Sequence, residues 1–569
     1  MAPQSLLEWD RVQELLPTPV SRERLEELLF DSKVELLSLE GNSLQISVTP
    51  DRLDLLSEGG LALALAGALG VAQGLPPIAS TGPSSEVGSF HIEVEASVMP
   101  LRPEIAGLVA RPPAGRSLDE RTLAEAIRVQ ELLHASVGRD RRRASLGIYA
   151  LERMRSPLRY ALDPIAEVRF TPLDRAGEVD AEEFFAEHPM AARYGSLGRD
   201  GDRCLVLADH AGRVASLPPI LNARGSGEVR PGDGPLLLES TGTHPRAVRE
   251  SLALLSVVFA ARGYAIDPVP IARAGPGTAG GSASWWGPRS VRSSGGQIAG
   301  IFGREVDATE IGALAARARL DVAHDAHGFH FRAAPWRPDL LGPVDVAEDL
   351  LFAAGVRVED SRQPPSFTRG RRRPESRFRR RFAPVLLGLG FQPVHTPVLV
   401  SEEAIERAGR RAEAVPLANP PSREYSFLRP ALVVSLLETL RRNRRSGYPQ
   451  RFSEGGPIVV PAPGAESGAS TRYRAGILLA HESAGFAEAA AIVDLLLRSI
   501  DVSSIREPAE LPGTIPGRAA RIRVTSESVA EIGEVHPSVL EAIGVPVPAA
   551  YAEVDLTGLW PLIDGRGTV

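Results

Sequence analysis

The chain has 569 residues, room for about four domains of ~150 residues each, and its 43% hydrophobic and 24% charged content is ordinary for soluble globular proteins. A formal net charge of −7 argues against a surface coated in nucleic acid but leaves room for local basic patches. No apolar run approaches the ~20 residues of a membrane helix, and Cys204 is the only cysteine, which excludes intrachain disulfides, thiolate zinc sites and iron–sulfur clusters. Met1 to Val20 carries Glu8, Asp10, Arg11 and Glu14, so no signal peptide is expected and the cytoplasm is the expected compartment. Lys33 is the only lysine, and no glycine loop surrounds it. Walker-type phosphate loops and Schiff-base chemistry both need a lysine in a specific setting, so neither is expected.

In chain order, residues 1–85 read as an α+β unit. Val34 to Leu39 and Ser43 to Val48 pattern as short strands about a Gly41-Asn42 turn. Leu55 to Leu69 then patterns as a helix ended by Gly70. The stretch Pro76 to Gly88 is a polar boundary. A second α+β block, 90–265, has strand-like pieces at His91 to Val94, Ile105 to Val109 and Arg203 to Leu207, and a helix at Leu123 to Val137. Ile271 to Gly287 is rich in glycine and reads as a linker or exposed loop. A small third block covers 285–357. The arginine-dense, proline-studded segment Ser361 to Arg381 leads into a fourth block, 377–569. No internal repeat is evident.

The third block holds an acidic cluster. A helix starting after Pro343 places Asp345, Glu348 and Asp349 at i, i+3 and i+4 on one face, with Ala347, Leu350, Leu351 and Ala354 opposite. Asp339, from a preceding strand, reaches the same point. Four carboxylates with Arg337 as the only basic neighbour suit a hard cation such as magnesium or calcium. The competing reading is a solvated helix face with acidic residues favoured at its N-terminus.

This run resembles the magnesium-binding domain of phenylalanyl-tRNA synthetase beta subunits of the archaeal and eukaryotic type. That pattern is Arg-x-Asp, six residues on to Asp, then Glu and Asp on the next turn; here it is met by Arg337, Asp339, Asp345, Glu348 and Asp349. In the second block, Ser216-Leu217-Pro218-Pro219-Ile220-Leu221-Asn222 and Glu239-Ser240-Thr241-Gly242-Thr243 match the same family. On their own these are turn and strand residues that bond their own backbone as readily as they line a site. The resemblance places them in the proofreading domain, which hydrolyses tyrosine wrongly attached to phenylalanine tRNA. It implies Leu207, Ser216, Asn222, Glu239 and Thr241 as pocket residues, with water attacking the ester and no covalent intermediate. A pocket for phenylalanine rejects the tyrosine hydroxyl imperfectly, so a second site must recognise it. The archaeal pattern has Asp where this chain has Glu239, one methylene longer.

Thr49-Pro50-Asp51-Arg52-Leu53-Asp54-Leu55 resembles the N-terminal signature, with Leu53 in place of proline. Gly138-Arg139-Asp140-Arg141-Arg142-Arg143 followed by Gly147-Ile148-Tyr149 resembles the opening of the editing domain, and His188-Pro189 and Tyr194-Gly195 match as well. In the fourth block, Asn419-Pro420, Ser422 to Arg429, Leu436 to Asn443 and Gly533-Glu534-Val535-His536-Pro537 resemble the catalytic-like module, with Gly455-Gly456 where Ile-Gly is usual. That module is related to the class II synthetase core but lacks here a glycine-rich motif ending in an ATP-binding arginine, so it is expected to be silent for adenylate formation.

The resemblance thus implies a multidomain α+β chain: an N-terminal α+β domain, a tRNA-binding and editing domain, a small winged-helix-like metal-binding domain and a class II-like antiparallel sheet domain. It implies an alpha subunit in an assembly of two alpha and two beta chains, phenylalanine tRNA, and ATP and Mg2+ as requirements of the assembled ligase, with only the ion bound by this chain. Arg139, Arg141 and Arg142, and Arg371, Arg372 and Arg373, are candidate phosphate contacts; a chain that uses arginine almost everywhere for lysine also shows arginine runs by composition alone. Two rival readings are a diverged paralogue that binds RNA or protein without supporting aminoacylation, and a free-standing deacylase.

Overall fold

A computed structural model describes residues 3–78, 80, 90–273, 285–355 and 369–564. The chain divides into two compact units, residues 1–363 and 364–569. The first begins with a three-stranded antiparallel sheet in the order Gln4–Glu8, Ser43–Val48, Val34–Glu40. Leu44, Ile46 and Val48 alternate toward the core, where they meet helices Trp9–Leu15, Arg22–Asp31 and Glu58–Ala68. The helix expected over Leu55 to Leu69 is split. Leu53–Leu56 is a 3-10 turn, and the α-helix starts only after Ser57, whose hydroxyl accepts from the Gly60 amide at 2.9 Å.

The middle of this unit is two sheets packed face to face. One has the antiparallel order Ala265–Pro268, Glu104–Arg111, Leu236–Gly242, Ala144–Ala150. Helices Glu120–Ala135 and Pro245–Ala260 cover its outer face. Its inner face meets a second sheet containing Leu158–Pro164, Arg203–Ala208, Val214–Leu217 and Leu221–Asn222. Strand Leu236–Gly242 is therefore buried on both sides: Leu236 and Leu238 pack against helices, while Leu237, Glu239 and Thr241 point between the sheets. Ile271–Arg273, expected in a linker, is a strand parallel to Ile92–Val94; the glycines of that segment at 275, 277, 280 and 281 lie outside the described residues.

Three helices, Gly295–Phe302, Ala308–Arg317 and Pro343–Ala353, pack on a three-stranded antiparallel sheet, Arg289–Ser293, Gly328–Ala333 and Asp321–Asp325. Asp339 lies in a turn after Gly328–Ala333 and not on a strand. The second unit is built on a seven-stranded sheet that is antiparallel except at the short edge strand Gln392–Pro393. Helices Leu432–Arg442 and Pro537–Ile543 cover one face, and Phe486–Arg498 and Leu556–Asp564 the other.

Candidate editing cavity and acidic cluster

A cavity of about 230 Å3 opens between strand Ala144–Ala150, helix Glu120–Ala135 and the turn leaving Val214–Leu217; Ser216, Asn222 and Glu239 all line it. Glu239 stands between two glycines, Gly107 and Gly147, on the neighbouring strands. It is 2% exposed and projects between two apolar layers. Tyr149, on the same face of its strand as Gly147, donates its hydroxyl to Glu239 Oε2 at 3.0 Å and lies 3.0 Å from Ser216 Oγ. The other oxygen, Glu239 Oε1, is buried without a hydrogen-bond partner. Burial pushes the Glu239 carboxyl up to about 7, opposed by the Tyr149 hydrogen bond, the Arg102 charge and the neighbouring Thr241 hydroxyl.

Asn222 donates its amide to the carbonyls of Ile148 at 3.3 Å and Gly227 at 3.1 Å, which leaves its Oδ1 as an acceptor. Ser216 has no histidine partner; its bond is to Tyr149. Leu207 does not line the cavity. It pairs with Ser216 across the sheet and packs in the inter-sheet core. Thr241 also stands back from the cavity: its hydroxyl accepts from Arg102 Nε at 3.1 Å and lies 3.1 Å from Ser145 Oγ. Arg102 is 1% exposed, so burial lowers its guanidinium to about 10, and it binds the Thr241 and Arg141 carbonyls. Neither Arg102 nor Tyr149 was assigned a role from the sequence. The available signal was Gly147: a glycine within a strand marks a close approach, and here it faces Glu239.

Arg141 corrects the expectation of a phosphate contact. It is buried, donates to the Pro219 and Ile220 carbonyls at 3.1 Å each and to Glu131 at 3.0 Å, and stacks over Tyr194. It braces the turn that carries the cavity wall. Arg139 and Arg142 are exposed. Arg371, Arg372 and Arg373 are exposed as well and precede helix Pro374–Arg379.

The acidic cluster is differently arranged from the expectation. Asp349 is buried and Ala354 exposed, so the helix is rotated from the face assignment above. Arg337 is not the only basic neighbour. Lys33 Nζ reaches Glu348 at 2.9 Å and Asp349 at 3.1 Å, and Arg337 binds both Asp339 and Asp349. Asp345 Oδ2 accepts from the Leu341 and Gly342 amides at 2.8 Å each, closing the helix N-terminus. Burial would raise the Asp349 carboxyl, but Arg337, Lys33 and Arg52 together hold it down at about 2. Among the described residues no group of three or more His, Cys, Asp or Glu side chains is arranged to hold a metal ion. The donor set as it stands does not fit magnesium, because Lys33 and Arg337 already occupy Asp339, Glu348 and Asp349, and Asp345 is committed to backbone amides.

In the second unit a cleft of about 570 Å3 lies over the large sheet. Its buried charges are mutually paired: Arg410 with Glu531 at 2.7 Å, and Arg474 with Glu553 at 3.0 Å.

A profile of the phenylalanyl tRNA synthetase beta chain CLM domain matches residues 361–556. The phenylalanine–tRNA ligase beta subunit of Aeropyrum pernix is 32% identical over 95% of this chain and 96% of its own. The chain belongs to the phenylalanine–tRNA ligase beta subunit family. The beta subunits of Thermofilum pendens, at 30% identity over 96% of both chains, and Archaeoglobus fulgidus, at 29% over 97% and 98%, extend the match along the same length. An N-terminal fragment of the beta subunit from Pyrococcus horikoshii superposes with a TM-score of 0.56 at 25% identity, covering 62% of this chain and all of the fragment. Membership of a beta-subunit family implies an alpha subunit and tRNA as partners, and aminoacyl-tRNA ligases in general use ATP and Mg2+. Among the described residues no helix is long and apolar enough to cross a membrane.

Proposed function

We propose that this chain supports attachment of phenylalanine to its tRNA by an alpha subunit, in a cytoplasmic assembly of two alpha and two beta chains, and that its own cavity hydrolyses tyrosine wrongly esterified to that tRNA. The observation that carries the editing reading is Glu239 Oε1, a buried acceptor without a partner on a residue that lines the cavity. An unmet acceptor in an apolar setting costs about 1–3 kcal/mol, so a hydroxyl donated to it is strongly selected over a hydrogen. Tyrosine supplies that hydroxyl and phenylalanine does not.

Ser216 and Asn222 present acceptor oxygens to the same space, suited to orienting a water for attack on the ester carbonyl. Ser216 is not built as a nucleophile, since no base stands beside it to take its proton. The second unit, where Arg410 and Arg474 of the cleft are committed to Glu531 and Glu553, serves as a structural partner of the alpha subunit and forms no adenylate. ATP and Mg2+ belong to the alpha subunit's reaction.

The test is co-expression with the alpha subunit, then phenylalanine charging and clearance of tyrosyl-tRNA by the purified assembly. Charging that needs both chains, together with tyrosine clearance lost in Glu239→Ala, is expected. Charging by alpha alone, or unchanged clearance in the variant, would overturn the corresponding half of the reading.

A further inference from the structure

Tyr149 is 1% exposed, and its ring packs in the core between the two sheets. Its hydroxyl is within hydrogen-bond distance of two groups of the cavity wall, Glu239 Oε2 and Ser216 Oγ, both at 3.0 Å. Burial and the Glu239 charge raise the phenol well above its usual range, so it keeps its proton. A phenol has one proton to give. When Glu239 is ionised the carboxylate takes it, because a charged acceptor binds more strongly than a neutral one. The Ser216 bond must then run the other way, with Ser216 donating to the Tyr149 oxygen.

We infer that Tyr149 is the positioning residue of this cavity: it anchors one oxygen of Glu239 so that the other stays open to a substrate's phenolic hydroxyl, and it turns Ser216 into an acceptor. The inference rests on the proofreading reading above and deepens it. Glu239 has three rotatable side-chain bonds, and without an anchor its carboxylate has no fixed direction between the layers. With Oε2 held, Oε1 is left without a partner at the cavity wall. The bound state is then a carboxylate bridging two phenols, one from the protein and one from the substrate. Ser216, its own proton committed to Tyr149, presents lone pairs to the cavity. That suits it to accept from the substrate's ammonium group or from the attacking water, not to donate. Gly147 makes the arrangement possible: a Cβ there would stand 2.4 Å from the Tyr149 hydroxyl and 2.7 Å from Glu239 Oε2.

Tyr149→Phe removes one oxygen and keeps the ring. The assembled enzyme carrying it is assayed for hydrolysis of tyrosine and of phenylalanine from phenylalanine tRNA across about pH 5.5 to 8.5, beside Glu239→Ala. Selectivity for tyrosine over phenylalanine is expected to fall about tenfold. The pH profile is expected to move to higher pH, since Glu239 loses a bond that favours its ionised form; a purely structural role of the hydroxyl would leave that profile in place. If Glu239→Ala loses tyrosine clearance while Tyr149→Phe keeps wild-type selectivity and profile, the inference is overturned and the editing reading stands. If Glu239→Ala clears tyrosine normally, both fall. Should Tyr149→Phe fail to fold, Ser216→Ala removes the donor into Tyr149 and is expected to displace the profile; an unmoved profile there overturns the inference equally.

Discussion

Gly147 and Glu239 face each other on adjacent antiparallel strands, and the carboxylate of Glu239 lies in the space a side chain at Gly147 would fill. Gly147→Ala is therefore expected to act on the cavity and not on the backbone. The new methyl group must displace either the Tyr149 hydroxyl or Glu239 Oε2, and both are enclosed by packed sheets. Overpacking of this kind costs about 1–3 kcal/mol. Chemical denaturation should show that loss, and tyrosine clearance should fall with phenylalanine charging unchanged. Wild-type clearance at wild-type stability would mean the strand moves aside.

Glu239 should also leave a mark on stability against pH. Its carboxyl is raised by burial from an ordinary 4.5 to about 7, so the folded state holds the proton more tightly than the unfolded one. The sign follows from linkage: stability is greatest below the unfolded value and declines as pH rises through the window from about 4.5 to about 7. The decline is at most ~3 kcal/mol. Glu239→Gln cannot ionise, so its melting temperature should gain on the wild type as pH rises across that window and then run parallel. A constant difference across the window would show that the carboxyl titrates normally.

Much of this was legible along the chain and some of it was not, for a definite reason. The helix after Pro343 and the strand pair about Gly41 follow from local periodicity and turn chemistry, and both form where expected. Ser216, Asn222 and Glu239, singled out through motifs, are brought by the fold to one cavity. Tyr149 lies in the Gly147-Ile148-Tyr149 motif without a role legible from sequence, because strand Ala144–Ala150 is buried throughout and shows no alternation from which to read a site face. Lys33 is read from the sequence only as a lysine without a glycine loop around it. Its partner Glu348 lies 315 residues away, a juxtaposition no local pattern announces. Asp349 was placed on an open face for the same reason: beside the nearby Arg337, two of the basic groups that allow its burial, Lys33 and Arg52, come from the N-terminal part of the chain.

Lys33 now decides how the acidic cluster responds to ions. With Lys33 and Arg337 against Asp349, added magnesium at constant ionic strength should leave the melting temperature of the chain unchanged. Lys33→Met removes the ammonium and leaves Glu348 without that partner and Asp349 with one fewer. The variant should lose about 1–3 kcal/mol and recover part of it on addition of magnesium, since Glu348 is freed for an oxygen-seeking cation beside an Asp349 that keeps only Arg337 as its ion-pair partner. Stabilisation of the wild type by magnesium, abolished by Asp345→Ala with Glu348→Ala, would restore the metal reading of these residues.

The arginines divide by burial, and the division is testable by salt. Arg371, Arg372 and Arg373 are exposed, whereas Arg141 is committed to the Pro219 and Ile220 carbonyls and to Glu131. A phosphate contact releases counterions, so removing one reduces the slope of log affinity against log salt by about one. Replacing Arg371 to Arg373 by serine should weaken tRNA binding and flatten that slope while leaving stability unchanged. Arg141→Ala should do the reverse. It withdraws the donors that hold the cavity's turn, so clearance and melting temperature should fall while the salt slope is kept. An unchanged slope in the triple variant would assign those three side chains to solvent, and a reduced slope in Arg141→Ala would show that the turn it braces reaches the tRNA.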